Sequence, residues 1–286
     1  MLNPVLKYRG GKSREISYFE KYIPKKYDRY IEPFLGGAAL FFYLEPEKAV
    51  LNDLNTRLVN FYNQLKSFYP EMRKQLDELQ SEYEKNQTKY KALKSDNPLE
   101  NISNDNEKLY YKMRSLFNNP CEEFLEAVIY FFINKTAYSG MIRYNSSKQY
   151  NVPFGRYPNL NTKLVTEEHS KLLQRAEIYN LDYTEIFKMA APNDFMFLDP
   201  PYDCIFNDYG NTDTMNGFDE EQQRHLAYHF KQLNCRALMV IGKTELTKEL
   251  YEEYIVNEYH KNYSVNIRNR FKNDKIHMIV ANYDTG

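Results

Sequence analysis

Asp199-Pro200-Pro201-Tyr202 brings together, in four residues, the groups needed to hold a planar amine. The Asp199 carboxylate accepts hydrogen bonds. Pro200 keeps its carbonyl as an acceptor, and the paired rings make that carbonyl rigid. Tyr202 adds a flat face for stacking. Two acceptors and one ring match an exocyclic NH₂ such as that of adenine, whose nitrogen lone pair is delocalised and weakly nucleophilic. Two acceptors pulling on its hydrogens favour a pyramidal nitrogen that can attack an electrophile, and each properly aimed group of this kind is commonly worth about 3 kcal/mol. The plainer reading is a tight polar turn. The tetrapeptide follows Asp194–Leu198, an apolar run read as a buried strand, and ligands in open α/β sheets bind at the carboxyl ends of strands.

Two further strings carry weaker signals. Glu32-Pro33-Phe34-Leu35-Gly36-Gly37 follows a short strand candidate, and Asp53 comes about twenty residues into the unit. Glycines after a first strand let a ligand approach the backbone, and such an acid binds ribose hydroxyls. The chain has neither Gly-x-Gly-x-x-Gly nor a Walker lysine, so an adenosine-containing ligand without a polyphosphate fits better. In Lys7-Tyr8-Arg9-Gly10-Gly11-Lys12, glycines flanked by bases suit a carboxylate and Tyr8 suits a ring. Alone, each of the two strings reads more readily as an ordinary glycine turn.

The elements that must position these groups alternate. Strands are expected at Arg29–Ile31, Ala49–Leu51, Glu177–Tyr179, Asp194–Leu198 and Arg236–Ile241. Helices are expected at Ser13–Lys21 with Ser13 as N-cap, Ala38–Leu44, Phe124–Ile133, Glu167–Arg175, Tyr183–Ala190, Asp219–Leu233 and Lys248–Tyr254. Leu54–Asn118 is helical in pattern except for the polar stretch Lys85–Asn106, which reads as loop or frayed ends. Tyr263–Phe271 and Ile276–Tyr283 are expected to pair as a terminal hairpin through Lys272–Lys275. The expected fold class is α/β: a Rossmann-like doubly wound sheet with a terminal β-hairpin, interrupted by a helical and loop-rich insertion.

Composition sets the frame. With 286 residues, 42% hydrophobic and 27% charged, the chain suits a globular protein of one large domain or one domain with a smaller second. No apolar run reaches membrane-spanning length, and the first thirty residues lack a signal-peptide core. Cys121, Cys204 and Cys235 are odd in number and form no Cys-x-x-Cys, which argues against a disulfide framework or structural zinc and points to a reducing compartment. The five histidines form no ligand cluster, and no metal is expected; His225 and His229, four apart on one helix, read as surface residues. The formal net charge of −1 hides an uneven distribution. Lys135, Arg143, Lys148, Arg156 and Lys163 lie in an acid-free stretch with Tyr138, Tyr144, Tyr150 and Tyr157 between them. Basic stretches interleaved with planar side chains suit a polyanion carrying stackable bases, although solvated faces on a lysine-rich protein have the same composition.

Taken together, the strings resemble the Dam-type (D12 class, alpha-group) N6-adenine-specific DNA methyltransferases. Four match in order: Lys7 to Lys12, Glu32 to Gly37, Asn134 to Asn145 with Asn151 to Tyr157, and Asp199 to Tyr202. The resemblance implies a methyltransferase sheet at residues 1–60 and 165–286 that binds S-adenosylmethionine, and a target-recognition domain at 61–164. It implies catalytic roles for Asp199, Pro200 and Tyr202. It places Tyr8, Lys12, Glu32, Phe34, Gly36, Asp53, Asp182 and Asp199 around the cofactor, with Asp53 on the ribose. DNA contacts are expected from Lys7, Tyr138, Ser139, Met141, Arg143, Asn145, Pro153, Arg156 and Tyr157. Tyr138 would enter the duplex beside the flipped adenine, and Arg143 would read guanine. Ser139 stands where close relatives have Asn, and Met141 where Leu is familiar. The implied activity is methyl transfer from S-adenosylmethionine to N6 of a flipped adenine in double-stranded DNA, with GATC as the target the best-known relatives share. It also implies a cytosolic enzyme of a bacterium or virus-infected host, with no membrane association, and a cognate restriction endonuclease as candidate partner. Read from the residues alone, the loop would also serve an amino-methyltransferase acting on RNA, cytosine or a protein glutamine. A binding protein that has lost turnover is the remaining alternative.

Overall fold

The computed structural model describes residues 1–8, 10–201, 218–261 and 275–286. Among these, β1 (Tyr30–Glu32), β2 (Ala49–Asn52), β3 (Ala176–Tyr179), β4 (Phe195–Leu198), β5 (Arg236–Gly242), β6 (Ile255–Lys261) and β7 (Lys275–Ala281) form a single sheet. Its order is β3-β2-β1-β4-β5-β7-β6. Strands β1 to β5 pair in parallel, and β7 runs antiparallel between β5 and β6. The chain winds outward from β1 through β2 to β3 and then restarts at β4 on the other side of β1. Tyr30 therefore faces Ala49 on one neighbour and Phe195 on the other. That reversal makes a crevice beyond the carboxyl ends of β1 and β4, where doubly wound sheets bind ligands.

The strands are apolar because both faces are covered. Tyr30, Phe195, Phe197, Leu238, Val240 and Ile279 point into one cluster; Ile31, Val50, Met196, Leu198, Met239, Ile241 and Met278 point into the other. Helices α1 (Ile16–Phe19), α2 (Ala39–Leu44), α3 (Thr56–Ser67), α4 (Tyr69–Asp96), α5 (Asp105–Asn118), α6 (Glu126–Thr136), α7 (Glu167–Leu173), α8 (Tyr183–Lys188), α9 (Glu220–Lys231) and α10 (Glu245–Tyr251) complete the order. Helix α3 packs on α6, α4 and α7, while α5 packs on α6 and α4. Leu58, Phe61, Tyr62 and Leu65 of α3 share one core cluster with the sheet and with Tyr130, Phe131 and Phe132 of α6. Residues 60 and 61, the expected domain boundary, lie inside α3.

Several local expectations change. Lys85–Asp96 is not loop: α4 continues through it as one 28-residue helix. Met72, Leu76, Leu79 and Tyr83 bury the first half of α4, and the polar remainder is rich in good helix formers such as Lys, Gln and Glu. Only the stretch around Asn97-Pro98 interrupts it before α5. Ser13 does not cap α1; Glu15 occupies that position and makes no capping bond. The hairpin partner of β7 is Ile255–Lys261, directly after α10, whereas the expected strand at 263–271 lies outside the described residues. The edge strand β6 exposes Asn257, Glu258 and His260, and such polar edges blur the strand signal. Capping boxes fix the starts of α7 at Thr166, α9 at Asp219 and α10 at Thr244.

Candidate active site and nucleic-acid face

One cleft opens beyond β1, β2 and β4. Tyr8, Lys12, Glu32, Phe34, Gly36, Asp53, Asp182 and Asp199 all line it, with Pro200, Pro201, Tyr183 and Phe218. Residues nearly two hundred positions apart thus share one space, because the sheet order sets β1 between β2 and β4.

Asp199 leaves β4 at its carboxyl end and meets Lys12 from the N-terminal loop. The ammonium lies 2.5 Å from Oδ1 and also donates to the Gly10 carbonyl at 3.0 Å. Lys12 is 2% exposed and Asp199 22%. Burial pushes the Asp199 carboxyl up, and the adjacent Lys12 charge pulls it back down. An ion pair this enclosed holds its geometry against water and salt. One residue on, Pro200 is buried in the cleft wall and the Pro201 carbonyl accepts from Gln223 Nε2 of α9 at 3.2 Å. Tyr202 lies outside the described residues.

The turn after β1 is braced from three sides. Gly36 has φ +47°, and a Cβ there would lie 2.8 Å from the Tyr8 ring, so the ring occupies the space a side chain would fill. The Gly36 amide donates to Asp53 Oδ2 at 2.9 Å, and Tyr62 OH donates to the Gly36 carbonyl at 3.1 Å. Asp53 Oδ1 accepts from the Asn55 amide at 2.8 Å. Burial raises the Asp53 carboxyl despite these amide donors. Glu32 is fully enclosed and accepts from Tyr30 OH at 2.9 Å; burial pushes its carboxyl well above the usual range. Asp182 caps α8, accepting from the Thr184 amide at 2.9 Å. Asn52 ties three segments together, donating to the carbonyls of Pro33 and Leu181 at 3.0 Å and accepting from the Leu181 amide at 2.9 Å.

The expected DNA-contacting residues are not among those lining the cleft, and most of them are exposed. Tyr138 is 57% exposed and Met141 40%; Lys7, Ser139, Arg143, Asn145, Pro153 and Arg156 are exposed, and Tyr157 is half-buried. Part of this set is directly connected. Lys7 Nζ sits 4.3 Å from the Tyr157 ring centre, Tyr157 OH accepts from the Ser139 amide, and the Tyr138 amide donates to the Pro153 carbonyl. The Ala137–Phe154 bridge joins the two halves. Ser139 holds φ 55°, a left-handed conformation that Asn adopts more readily. Arg143 Nε donates to Asn151 Oδ1 at 3.0 Å, which orients its guanidinium. Asn145 Oδ1 accepts from the amides of Ser147 and Gln149 and closes the turn between Tyr144 and Tyr150. Among the described residues no helix is long and apolar enough to cross a membrane.

Sequence reasoning missed the polar anchors. Asn134 donates to the Lys7 carbonyl and accepts from the Lys7 amide, both at 2.8 Å, which links the loop before Tyr8 to α6. Asn52 and Gln223 act likewise. A lone amide in a sequence looks like any surface polar residue; only a position inside an apolar helix run, as for Asn134 after Ile133, could have marked one.

Lys135 lies beside Lys7, and burial, aided by the Lys7 charge, lowers its ammonium to about 8. It carries its proton below that pH and loses it above. Affinity for a polyanion on this face should therefore fall as pH rises through 8, and Lys135→Met should flatten that dependence. Fluorescence-anisotropy titrations of a DNA duplex at pH 7 and pH 9 would check both points.

Comparison with known proteins places the whole chain in a family. The family model for D12 class N6 adenine-specific DNA methyltransferases matches residues 8–267. The type II methyltransferase M.CviBI of Paramecium bursaria Chlorella virus NC1A is 35% identical over 99% of this chain and all of its own length. The type II methyltransferase M1.LlaDCHI of Lactococcus lactis subsp. cremoris is 31% identical over 99% of this chain and 96% of its own. A DNA adenine methylase of Haemophilus influenzae is 28% identical over 87% of this chain and 82% of its own. With a family match spanning nearly its whole length and a cleft where the crossover reverses, the chain belongs to the D12 class of N6 adenine-specific DNA methyltransferases.

Proposed function

We propose that the cleft holds S-adenosylmethionine and that Asp199 and Pro200 grip the amine of a flipped adenine beside it. The observation that carries this reading is the convergence of the Lys12–Asp199 pair and the Asp53-braced glycine turn on one cleft. The lining fits the cofactor. Glu32, Asp53 and Asp182 offer acceptors for hydroxyl and amine hydrogens, and Phe34, Tyr8 and Tyr183 offer ring faces to an adenine. When bound, S-adenosylmethionine supplies a methyl group activated on a sulfonium.

The chain's own residues do the rest. Lys12 holds Asp199 ionised and aimed. Asp199 and the Pro200 carbonyl accept the two N6 hydrogens and turn the nitrogen lone pair toward the electrophile. Hydrogen-bond acceptance is the first role of Asp199, because a carboxylate is a weak base. Tyr202, by resemblance, stacks on the base. Tyr138 fills the gap left in the duplex, offsetting part of the unstacking cost of roughly a few kcal/mol. Residues 61–164 form the recognition part and residues 1–60 with 165–286 the catalytic part. The basic face binds the duplex through phosphates, so affinity falls with salt. GATC is the proposed target, cytosol of a bacterium or infected host the proposed location, and an endonuclease for the same site the proposed partner. The two relatives named type II methyltransferases support that last point.

Pure protein incubated with labelled S-adenosylmethionine and, separately, duplex DNA, RNA and protein tests the reading. Label is expected in N6-methyladenine of DNA; label confined to RNA or protein would contradict it. Arg143→Ala should weaken discrimination at one base pair by about 1–3 kcal/mol. Mapping modified adenines after expression in a methylation-free host checks this, and an unchanged site preference would remove Arg143 from recognition.

A further inference from the structure

We propose that Glu15 is a positioning residue for methyl transfer: its carboxylate, clamped by the terminal hairpin, anchors the loop that carries Lys12 to Asp199. This rests on the reading of Asp199 as the residue that grips the amine. Glu15 sits where α1 should be capped, yet its side chain turns to the sheet. Oε1 accepts from Lys261 Nζ of β6 at 2.5 Å; Oε2 accepts from Tyr259 OH at 2.6 Å and from His277 Nδ1 of β7 at 2.8 Å. The carboxylate partner assigns the proton to Nδ1 of His277. Glu15 is 3% exposed, His277 1% and Tyr259 6%.

The clamp is tied to the cleft through the backbone. The amides of Glu15 and Ile16 both donate to the Lys12 carbonyl, at 2.7 and 3.1 Å, so fixing Glu15 fixes Lys12. Asp199, Lys12, Glu15 and Lys261 alternate in sign through the protein interior. Burying four charges is a poor route to stability, and a hydrophobic cluster of the same volume would serve a purely structural purpose as well. The donors from the hairpin and the Lys12 charge hold the Glu15 carboxyl at about 2 against the opposing effect of burial. Glu15 is ionised at all working pH values. Among the described residues the groups that face Glu15 are Lys12 from the N-terminal loop, Tyr259 and Lys261 from β6, His277 from β7 and Asp199 from the turn after β4.

Glu15→Gln keeps the shape and removes the charge. Its kcat should fall about 10- to 100-fold, as expected when a reacting group is misplaced. Dissociation constants for S-adenosylmethionine and DNA should stay within about twofold. Releasing the loop draws the Lys12 charge off Asp199, so the acid limb of kcat should move to higher pH; loss of the Glu15 charge with Lys12 still in place would move it lower. Tyr259→Phe removes one bond and keeps the charge; kcat should fall about threefold with the limb unmoved. In an Asp199→Ala background, Glu15→Gln should add no further loss. A limb that stays in place or moves lower, or kcat and binding weakening together, would overturn the proposal. If Glu15→Gln fails to fold, unchanged turnover in Tyr259→Phe overturns it instead. Full activity in Asp199→Ala alone would sink the reading beneath it, a result that does not depend on Glu15.

Discussion

Asp199→Ala should lower the rate of methyl transfer at least about a thousandfold while leaving DNA affinity nearly unchanged. The carboxylate is one of the acceptors proposed for the adenine amine, and it acts in a cleft where Lys12 is its counter-charge. Without it the N6 lone pair stays conjugated, Lys12 is left buried without its anion, and both effects raise the barrier. The residues proposed to bind DNA, from Lys7 through Tyr138 and Arg143 to Tyr157, lie outside the lining of the cleft, and the described hydrogen bonds and ion pairs of Asp199 reach none of them. Single-turnover methylation with saturating DNA, alongside anisotropy titration of the same duplex, separates the two quantities. Turnover within about tenfold of the parent would take Asp199 out of the mechanism.

Lys12→Met should produce the second largest effect. Methionine matches the length of the lysine stem but leaves the enclosed Asp199 carboxylate without its nearest cation. Removing one partner of a buried pair costs about 3–5 kcal/mol, and the exposed part of Asp199 places this case toward the lower end. The sign for pH follows directly. Burial raises the Asp199 carboxyl and Lys12 lowers it, so without Lys12 the group protonates at higher pH. Methyl transfer needs the ionised form, and the acid limb of kcat should move upward, the direction also expected for Glu15→Gln. At neutral pH the rate should fall about a hundredfold. A pH–rate profile whose acid limb stays in place would show that Lys12 does not govern Asp199.

The central strands were legible because strands buried on both faces are written as short continuous apolar runs. Phe195–Leu198 is such a run, and it announced both β4 and the loop beyond it. The glycine turn after β1 was legible for a different reason: Gly36 must leave room for a ring, and a glycine pair after a strand records that need. Two kinds of feature were hidden. Helix α4 continues through Lys85–Asp96 without a buried apolar stripe, carried by helix propensity and by polar ties such as the Lys89–Asp105 ion pair, so periodicity had nothing to register. The anchors Glu15, Asn52, Asn134 and Gln223 are single polar residues whose partners lie far along the chain, up to 262 residues away for Glu15 and His277. Their importance comes from burial and convergence, and a linear sequence shows neither.

The most direct test is a crystal structure of the protein with a short duplex containing the target adenine and a non-reactive analogue of the methyl donor. The account predicts the adenine out of the stack, with N6 about 3 Å from an Asp199 carboxylate oxygen and from the Pro200 carbonyl. An adenine still paired in the duplex, or an N6 held by other groups while Asp199 faces away, would contradict it.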